Sequence, residues 1–584
     1  MKHIIRVCTC TGCQANGSLE VFEGLCRAVS GRKKECEGKG IEIEVKETGC
    51  TGLSETVPNV LVEPSGILYV NVNEDKAERI VDSVINNYVI DEMLFELDGK
   101  KYGKLTDVPF FALQERVLLA RCGYTTPLSL SDYIESGGFE GLKAAVSMKQ
   151  DEIIDILKRA KLRGRGGAGF LTGIKWRFLK NAKGNEKFLI CNADEGDPGA
   201  FMDRSLLESD PFAVLEGMLI GAYATGATRS FIYIREEYPL AIDKVKTAID
   251  ILKENGYLGN NVLEKFSFDI EIRKGAGAFV CGEETALMNS VEGKRGQPRI
   301  KPPFPAERGI FGKPTNINNV KTYAFVPLIL RNGPEWFLDK GNGKSSGGTL
   351  LICLTGKIRL NGVVEVKMGT ALRKVIYDIG GGLKSGKRLK GVQTGGPSGG
   401  CIPEALIDTE IDYESMQELG SIIGSGGIIC IDEDDSIIDL CIFFLDFLEK
   451  ESCGQCTPCR EGIIQMKDLI IKIKERKASE QDIAMLEKLA VYVRDNSLCG
   501  LGQTSPNVVL SSLKYFRDEF ERRISGKPVF KINEKCTGCH LCFLKCPVKA
   551  INGSPKEIHE IIQEKCIGCG ICYDVCKFQA IDKE

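Results

Sequence analysis

Several features are missing from this 584-residue sequence, and each absence excludes a class of protein. There is no excess of charge of one sign: the formal net charge is −3, which argues against an electrostatic nucleic-acid binder. The longest hydrophobic run, residues 437–448, contains Asp439 and Asp446 and is too short and too charged to span a bilayer. No signal peptide is visible at the N-terminus. We therefore expect a soluble, cytoplasmic protein with no membrane span and no nucleic-acid partner.

Cysteine, by contrast, is abundant, with 25 residues in the chain. In a small secreted protein this number would indicate disulfides, but here no export signal is visible and the cysteines lie in C-x-x-C clusters. Thiolate ligation of metal is therefore the better interpretation. The length predicts roughly three to five domains.

A glycine-rich stretch, LRGRGGAGF at residues 162–170, is the segment around which the chain is organised. Glycines allow a backbone to approach a ligand closely, and exposed N–H groups with the basic Arg163, Arg165 and Lys175 nearby suit a phosphate. The stretch also fits the G-x-G-x-x-G dinucleotide pattern. That pattern should follow a strand, whereas the apolar residues before this one recur at helical spacing. We therefore predict a phosphate loop of another fold, the alternative being an ordinary surface turn.

Polar side chains follow a short apolar segment at residues 188–191, which is typical of a buried strand. Asn192, Asp194 and Glu195 come directly after it, in a position to hydrogen-bond a ribityl or ribose chain. The alternative is a solvated acidic turn. Further along, a glycine loop at 275–279 precedes a helix predicted to open at 281–287. The later candidates are Phe304 in a proline-rich turn, and Asn316, Asn318 and Asn319 at the start of a helix-like segment.

Two groups of cysteines have the spacing of iron–sulfur ligands. Cys453, Cys456 and Cys459 form a C-x2-C-x2-C run, and Cys499 follows a helix pair; three close thiolates and a remote one indicate a [4Fe–4S] cluster. Zinc is the alternative, but zinc motifs usually bring two pairs. The C-terminus repeats the run of a two-cluster ferredoxin, in which the fourth cysteine of each run ligates the other cluster. One set is then Cys536, Cys539, Cys542 and Cys576, and the other is Cys566, Cys569, Cys572 and Cys546.

The motifs LRGRGGAGF, NADEGDPGAF, GAGAFVCGEETAL, KPPFP and TNINNV together resemble the family of NADH-binding, FMN-containing subunits. That family includes the flavoprotein subunit of respiratory complex I and the flavin subunits of NAD(P)-linked [FeFe]-hydrogenases and formate dehydrogenases. The resemblance implies FMN, a nicotinamide cofactor, NAD(H) or NADP(H), stacked on it, and Glu195 as the residue that positions the nicotinamide. It assigns cofactor binding to Arg163, Gly164, Arg165, Gly166, Gly167, Ala168, Gly169, Phe170, Lys175, Asn192, Asp194, Glu195, Phe279, Gly282, Glu283, Glu284, Phe304, Asn318 and Asn319. The sequence departs from the family at Lys161, Leu171 and Lys321, which replace Gly, Pro and Glu.

The first 90 residues resemble the thioredoxin-like [2Fe–2S] ferredoxin domain, which uses C-x4-C and a later C-x3-C. Cys8 and Cys13 match the first pair and Cys50 the third position, but the fourth position is Ser54. Three alternatives follow: Cys10 supplies the missing thiolate, Ser54 ligates through oxygen, or the cluster is absent. We favour a cluster held by the cysteines.

The expected fold class is multidomain α/β and α+β. We predict a thioredoxin-like domain at 1–90, a connector at 91–150, an FMN and NAD(P)H-binding domain at 151–330, a ubiquitin-like β-grasp domain at 331–430, a helical [4Fe–4S] domain at 431–525 and a two-cluster ferredoxin domain at 526–584. Nine cysteines lack ligand spacing and are predicted to be small buried hydrophobes. They are Cys26, Cys36, Cys122, Cys191, Cys281, Cys353, Cys401, Cys430 and Cys441.

These expectations describe a flavoprotein that exchanges hydride with NAD(P)(H) and passes single electrons to three [4Fe–4S] clusters and one [2Fe–2S] cluster. The fused architecture resembles the β subunit of multimeric [FeFe]-hydrogenases, including electron-bifurcating ones. It implies a hydrogenase catalytic subunit, a small [2Fe–2S] subunit and ferredoxin as partners. The alternatives are the diaphorase subunit of a formate dehydrogenase or another oxidoreductase complex, and a relay or scaffold that has lost its flavin.

Overall fold

The structure, a computed structural model, describes residues 2–343, 345–384, 386–525, 528–563 and 565–583. The first and last residues of the chain, and residues 526 and 527 at the predicted start of the C-terminal domain, lie outside the described residues.

The N-terminal part is a four-stranded sheet with helices packed on it. Its strands are, in spatial order, Glu42–Thr48, Lys2–Cys8, Val60–Glu63 and Ile67–Tyr69, of which the first pair is parallel. The helix Ala77–Asn86 buries Ile80, Val81 and Val84 at helical spacing and ends where Asn87 adopts a left-handed conformation. The other helices are Thr11–Gln14, Ser18–Gly31 and Lys33–Gly38. The strand at the centre ends at Cys8, so it delivers the first cysteines to one edge of the sheet.

The predicted connector contains a hairpin as well as helices. Strands Phe95–Leu97 and Lys100–Tyr102 are joined by Asp98 and Gly99, which both have positive φ as a tight hairpin turn requires. The helices of this segment are Pro109–Ala112, Leu130–Glu135 and Glu140–Val146.

A five-stranded sheet forms the centre of the next domain, and four of its strands are parallel. In spatial order the strands are Thr315–Asn319, Phe188–Ala193, Arg229–Arg235, Phe266–Gly275 and the antiparallel Gly259–Val262. Helices Gln150–Arg159, Thr172–Asn181, Met202–Ser209, Pro211–Thr225, Pro239–Glu254, Glu284–Val291, Val320–Asn332 and Pro334–Asp339 accompany it. Because the parallel strands end at one edge, the loops after residues 193, 235, 275 and 319 meet there.

The asparagines predicted at a helix start lie instead on a strand. Thr315–Asn319 pairs in parallel with residues 188–192, because Ile317 and its neighbours complete the edge of the buried sheet. The helix begins only at Val320, and the Asn319 side chain caps it by accepting from the Lys321 N–H.

The following sheet has the strand order expected of a β-grasp. It runs Gly362–Lys367, Thr349–Gly356, Gly427–Asp432, Leu389–Thr394 and Gly400–Pro403, with the second and third strands parallel. The helix Tyr413–Glu418 and a π-helical segment, Lys374–Ile379, lie between its strands in sequence. The third strand in this order ends at Asp432, so the sheet extends slightly past residue 430.

The remainder is helical and then ferredoxin-like. The helices are Ile437–Glu451, Thr457–Lys474, Glu480–Asn496, Gly500–Thr504, Asn507–Tyr515 and Arg517–Ile524. The C-terminal unit pairs Phe530–Ile532 with Ile581–Lys583 and Ile551–Asn552 with Glu560–Ile561, and contains helices Leu541–Lys545 and Ile571–Val575. Within the described ranges, no helix combines the length and apolar character that crossing a bilayer demands.

Candidate functional site

The glycine-rich stretch is a closed loop between two helices. The Gly164 N–H donates to the Phe170 carbonyl at 2.8 Å, and the Thr172 N–H donates to the Leu162 carbonyl at 2.8 Å, so the two ends of the loop are held together. Gly167 and Gly169 have φ of 120° and 64°, values that favour glycine. The helix Thr172–Asn181 begins directly after the loop, which gives the loop a helix N-terminus of the kind that attracts anions.

Two of the three predicted basic residues support this loop from within. The Arg165 guanidinium is 1% exposed and donates to the carbonyl oxygens of Thr349, Gly347 and Arg163 at 3.1, 2.6 and 3.2 Å. The Arg163 guanidinium donates to the Gly169 carbonyl at 2.7 Å and pairs with Glu414 at 2.5 Å. Their charges are thus used within the protein rather than presented to a phosphate.

Tyr413, at the start of the helix Tyr413–Glu418 in the following domain, contacts the same loop. The Tyr413 hydroxyl donates to the Gly164 carbonyl at 2.9 Å, and the Arg163 guanidinium lies 4.2 Å from the centre of the Tyr413 ring. A Cβ at Gly169 would lie 2.6 Å from that ring. The sequence motif did not identify Tyr413 as part of the site, because its contribution comes from a different domain.

We expect Gly169→Ala to weaken this loop and Gly164→Ala to be tolerated. The first places a Cβ against the Tyr413 ring and forces alanine into a left-handed conformation, which costs roughly 1–2 kcal/mol before any clash. The second meets only the Phe170 carbonyl oxygen, at an ordinary 3.5 Å. Thermal unfolding of the flavin-free variants measures the difference. Equal melting temperatures would show that Tyr413 does not pack on the loop as described.

Asp194 is the side chain at the strand edge whose surroundings best fit a bound ligand. Its carboxyl is buried, and neither oxygen has a hydrogen-bond partner among the residues that the structure describes. Burial raises the pKa of Asp194 to about 7. Asn192 holds the loop beside it, accepting from the Asp194 N–H at 3.0 Å and donating to the Gly282 carbonyl at 3.0 Å. A buried acceptor without a donor fits a ligand with hydroxyl groups, such as the ribityl chain of FMN.

Glu195 is fixed by its neighbours more firmly than Asp194. Its carboxylate accepts from the backbone N–H groups of Asp203 and Arg204 at 3.0 and 3.1 Å, at the start of the helix Met202–Ser209. Its carbonyl oxygen accepts from Tyr238 at 2.8 Å and Arg235 at 3.2 Å. None of these four partners was predicted from the sequence, although Asp203 and Arg204 lie just past the NADEGDPGAF motif.

The side chains of Lys175, Asn318 and Asn319, which were predicted to bind the cofactor, are all hydrogen-bonded within the protein. Lys175 Nζ donates to the Ile317 carbonyl at 2.8 Å and pairs with Glu284 at 3.2 Å. The Asn318 side chain accepts from Trp176 at 2.9 Å, and the Asn319 side chain donates to Asp203 at 2.5 Å. A Cβ at Gly166 would lie 3.2 Å from the Asn319 Cβ, so the first glycine loop and the asparagine strand are in contact.

Acidic and aromatic residues predicted for the nucleotide lie around the second glycine loop. Lys301 pairs with both Glu283, at 3.1 Å, and Glu284, at 2.7 Å. Burial opposes the charge of Glu284, but Lys175 and Lys301 outweigh it and lower its pKa to about 2. Phe170 and Phe304 are 52% and 54% exposed, which leaves their rings free to stack on a planar ligand, and Phe279 is half-buried.

The C-x2-C-x2-C cysteines and Cys499 line one pocket, as predicted for a single cluster. Val280 lines the same pocket, and the neighbouring Phe279 N–H donates to Glu451 at 2.7 Å. The short segment Phe279–Gly282 therefore touches the cysteine pocket at one end and Asn192 at the other.

The ferredoxin repeat also brings together the cysteines that its interleaved pattern predicted. A pocket is lined by Cys536, Cys539, Cys542 and Cys576, the last of which comes from the second run. The Ala580 N–H donates to the Cys576 Sγ at 3.3 Å, and the Ala550 N–H donates to the Cys546 Sγ at 3.1 Å in the equivalent position. Cys546, Cys566 and Cys572 pack in the core of this unit, while Cys569 is exposed.

The N-terminal cysteines form a buried group of four. The Sγ atoms of Cys8, Cys10 and Cys13 lie within 4.8 Å of one another, and Cys50 packs against them. Hydrogen bonds from Cys13, Cys50 and Cys8 lower the pKa of Cys10. Ser54 is half-buried, and its N–H donates to the Asn361 carbonyl at 3.0 Å. The Cys10 thiol thus lies within the same buried group as the thiols of Cys8, Cys13 and Cys50.

Comparison with known proteins accounts for this arrangement of sites. Residues 157–328 match the family described as the Nuo51 FMN-binding domain, and 439–523 match the NADH-ubiquinone oxidoreductase-F iron-sulfur binding region. The subunit HndC of the NADP-reducing hydrogenase of Solidesulfovibrio fructosivorans is 49% identical over 76% of this chain and 93% of its own length. The chain belongs to the complex I 51K flavoprotein family. It is an NAD(P)H dehydrogenase subunit of that family with an FMN-binding domain.

The domains at the two ends of the chain also match known families, and further relatives are similar over most of the chain. Residues 1–85 match the thioredoxin-like [2Fe–2S] ferredoxin family and 529–582 the 4Fe-4S dicluster family, which confirms the multidomain fold class. An NADH-quinone oxidoreductase subunit of Rhizobium meliloti is 42% identical over 71% of this chain and 98% of its own length. A crystal structure of an NAD+-reducing [NiFe]-hydrogenase in the H2-reduced state has a TM-score of 0.64 and 28% identity, covering 90% of this chain and 85% of that one.

At two of the three positions where the sequence departs from the 51K flavoprotein family, the backbone has the conformation that suits the family's usual residue. Lys161 follows the helix Gln150–Arg159 with φ of 49°, the left-handed conformation in which glycine is the usual residue. Leu171 caps the helix Thr172–Asn181 in an extended conformation that proline also adopts.

Proposed function

We propose that this subunit serves an NAD(P)-linked hydrogenase complex, in which it exchanges electrons with a hydrogenase catalytic subunit, a small [2Fe–2S] subunit and ferredoxin, and that the complex bifurcates electrons. The partner assignment rests on two similarities, to the HndC hydrogenase subunit over most of its length and to the NAD+-reducing hydrogenase structure. We also propose that the complex is cytoplasmic.

The observation that carries the electron-transfer role is the segment Phe279–Gly282. It contacts the strand-edge site through the Gly282 carbonyl and the pocket of four cysteines through Val280. FMN held at the strand edge would supply both two-electron hydride chemistry and one-electron exchange, which suits iron–sulfur clusters that each take one electron. The protein residues keep the two sites adjacent, so electrons need only a short path.

The residues that fit FMN are those of the first glycine loop, Lys175, Asn192 and Asp194. The glycine loop offers backbone N–H groups beside a helix N-terminus, and Asp194 offers an acceptor without a partner. Glu195 is assigned to positioning the nicotinamide. The unsatisfied, buried Asp194 counts against a relay that has lost its flavin, because such a chain would gain stability by replacing it.

Hydrogen activation is assigned to a partner. Sixteen of the 25 cysteines fall into the four predicted ligand groups; the other nine are buried or half-buried and form no group of three potential metal ligands among the described residues. The described residues thus contain no further cysteine cluster beyond the four groups. The ligand sets proposed are three [4Fe–4S] clusters and one [2Fe–2S] cluster, with Cys10 completing the last.

Anaerobic purification of the protein from its native host, with identification of the proteins that co-purify, tests the proposal. We expect a hydrogenase subunit, and H2-dependent NAD(P)+ reduction that requires ferredoxin to be present as well. Turnover that needs only one acceptor would remove bifurcation from the proposal. A formate dehydrogenase partner, or no response to H2, would leave the flavin module intact and overturn its link to hydrogen.

A further inference from the structure

Lys321 places a buried positive charge beside the residue that we assign to the nicotinamide. Its side chain is 0% exposed, and its Nζ lies 2.8 Å from Asp203 Oδ1. Asp203 and Glu195 are 2% and 5% exposed. We call Lys321, Asp203 and Glu195 the buried charge triad. They come from three different segments, which meet at the edge of the parallel sheet.

Because the two carboxyl groups and the ammonium group are buried close together, the charge of each changes the pKa of the others. The Asp203 N–H donates to Glu195, so the two acids are in direct contact through the backbone. Burial and the charge of Asp203 raise the pKa of Glu195 to about 7, and Lys321 acts in the opposite direction. Removing the lysine would leave two buried acids without a countercharge, a strongly unfavourable arrangement.

The other charged and titratable groups that face Glu195 do not take the place of Lys321. Arg235 and Tyr238 donate to the Glu195 carbonyl oxygen rather than to its carboxylate. Arg204 donates to the carboxylate with its backbone N–H, and its guanidinium is directed toward Glu208 at 3.8 Å. Asp197 accepts from Ser425, and Cys353 accepts from the Phe201 N–H.

We propose that Lys321 is the countercharge that keeps Glu195 ionised near neutral pH, and that it thereby determines how strongly the site prefers oxidised over reduced nucleotide. The inference rests on the proposed role of Glu195. The nicotinamide ring is positively charged in NAD(P)+ and uncharged in NAD(P)H, so a carboxylate beside it attracts the oxidised form selectively. Lys321 is a positioning residue, since it acts through Asp203 and Glu195.

Binding measurements on the flavin-loaded, oxidised protein test this without turnover. Calorimetry at a series of pH values would compare NAD+ with tetrahydro-NADH, whose ring is uncharged and which donates no hydride, or with the phosphorylated pair. In the wild type, we expect the preference for NAD+ to rise by about tenfold as Glu195 loses its proton. The change should be centred near the pKa of about 7 given above.

Substitutions on the two sides of Glu195 should move this midpoint in opposite directions. Lys321→Met should raise the midpoint by about one pH unit, because it removes a positive charge that stabilises the Glu195 carboxylate. Asp203→Asn should lower the midpoint, because it removes a negative charge that destabilises the same carboxylate. Asp203→Asn is nearly isosteric, so it keeps the test valid if Lys321→Met does not fold. Lys340→Met, which removes the lysine of an ion pair with Glu115 at 2.6 Å, is the matched control.

Glu195→Gln tests the proposed role of Glu195 separately from that of Lys321. If it abolishes the pH dependence while the Lys321 and Asp203 variants titrate like the wild type, the role of Lys321 is overturned and that of Glu195 stands. If it leaves the pH dependence unchanged, Glu195 does not face the nicotinamide, and the proposed site assignment itself fails. Opposite shifts in the two variants, with no dependence left in Glu195→Gln, support the inference.

Discussion

Asp194→Leu should make the flavin-free chain more stable and at the same time unable to retain FMN. The carboxyl is buried and receives no hydrogen bond from the described part of the chain, so replacing it by an apolar side chain of similar size removes a desolvation penalty of about 2 kcal/mol. The same replacement removes the acceptor that we assign to the ribityl chain. The measurements are the thermal midpoint of the flavin-free protein and the flavin-to-protein ratio after gel filtration.

The stabilisation should depend on pH. The folded-state pKa of Asp194, about 7, lies above that of an unfolded aspartate, so ionisation of the wild-type carboxyl destabilises the fold increasingly as the pH rises between these two values, and fully above the higher one. The gain from Asp194→Leu should therefore be full above about pH 7 and fade as the pH falls toward about 4.

Asp210→Leu is the matched control for this prediction. Asp210 is equally buried, but it pairs with Arg121 at 2.7 Å and caps the helix Pro211–Thr225, so its loss should lower the thermal midpoint. If Asp194→Leu also destabilises the flavin-free chain, or retains FMN fully, Asp194 is not the unsatisfied ligand acceptor that the structure indicates.

The second large effect is expected at the N-terminal cysteines. Cys10→Ala should abolish the [2Fe–2S] EPR signal of the reduced protein, because the structure places this thiol within 4.8 Å of those of Cys8 and Cys13 and alanine offers no ligand atom in its place. Ser54→Ala should leave the signal unchanged. A cluster with three thiolates and no fourth ligand is incomplete, so the loss should approach the whole signal rather than a fraction of it.

Cys36→Ala provides the matched control for a cysteine-to-alanine change in this domain. Cys36 is buried in the hydrophobic core of the domain and lies outside the group of four. The opposite pattern, in which Ser54→Ala removes the signal and Cys10→Ala does not, would assign the fourth ligand to Ser54. No iron in the wild-type domain after anaerobic reconstitution would contradict a cluster at this site altogether.

The sequence was most informative where the spacing of residues along the chain itself determines the chemistry. The ferredoxin repeat predicted that Cys576 joins Cys536, Cys539 and Cys542, and the structure lines one pocket with these four. The strand at residues 188–191 was predicted from a short continuous apolar run, and the structure confirms it. The prediction failed for the asparagines at 316–319, because a short edge strand that ends in polar residues has no period by which to tell it from a helix start.

The sequence by itself determined the family, the four groups of cysteines and the glycine loop, since each is a local pattern of residue types. Only the tertiary structure decided which side chains remain available to a ligand. It buried the Arg165 charge among carbonyl groups and brought Tyr413 onto the loop from another domain. It also left the Asp194 carboxyl without a hydrogen-bond partner among the described residues. It also set Lys321 beside Asp203, a contact between residues 118 positions apart in the chain. Burial and pairing depend on which distant segments meet, and short-range sequence patterns carry no record of that.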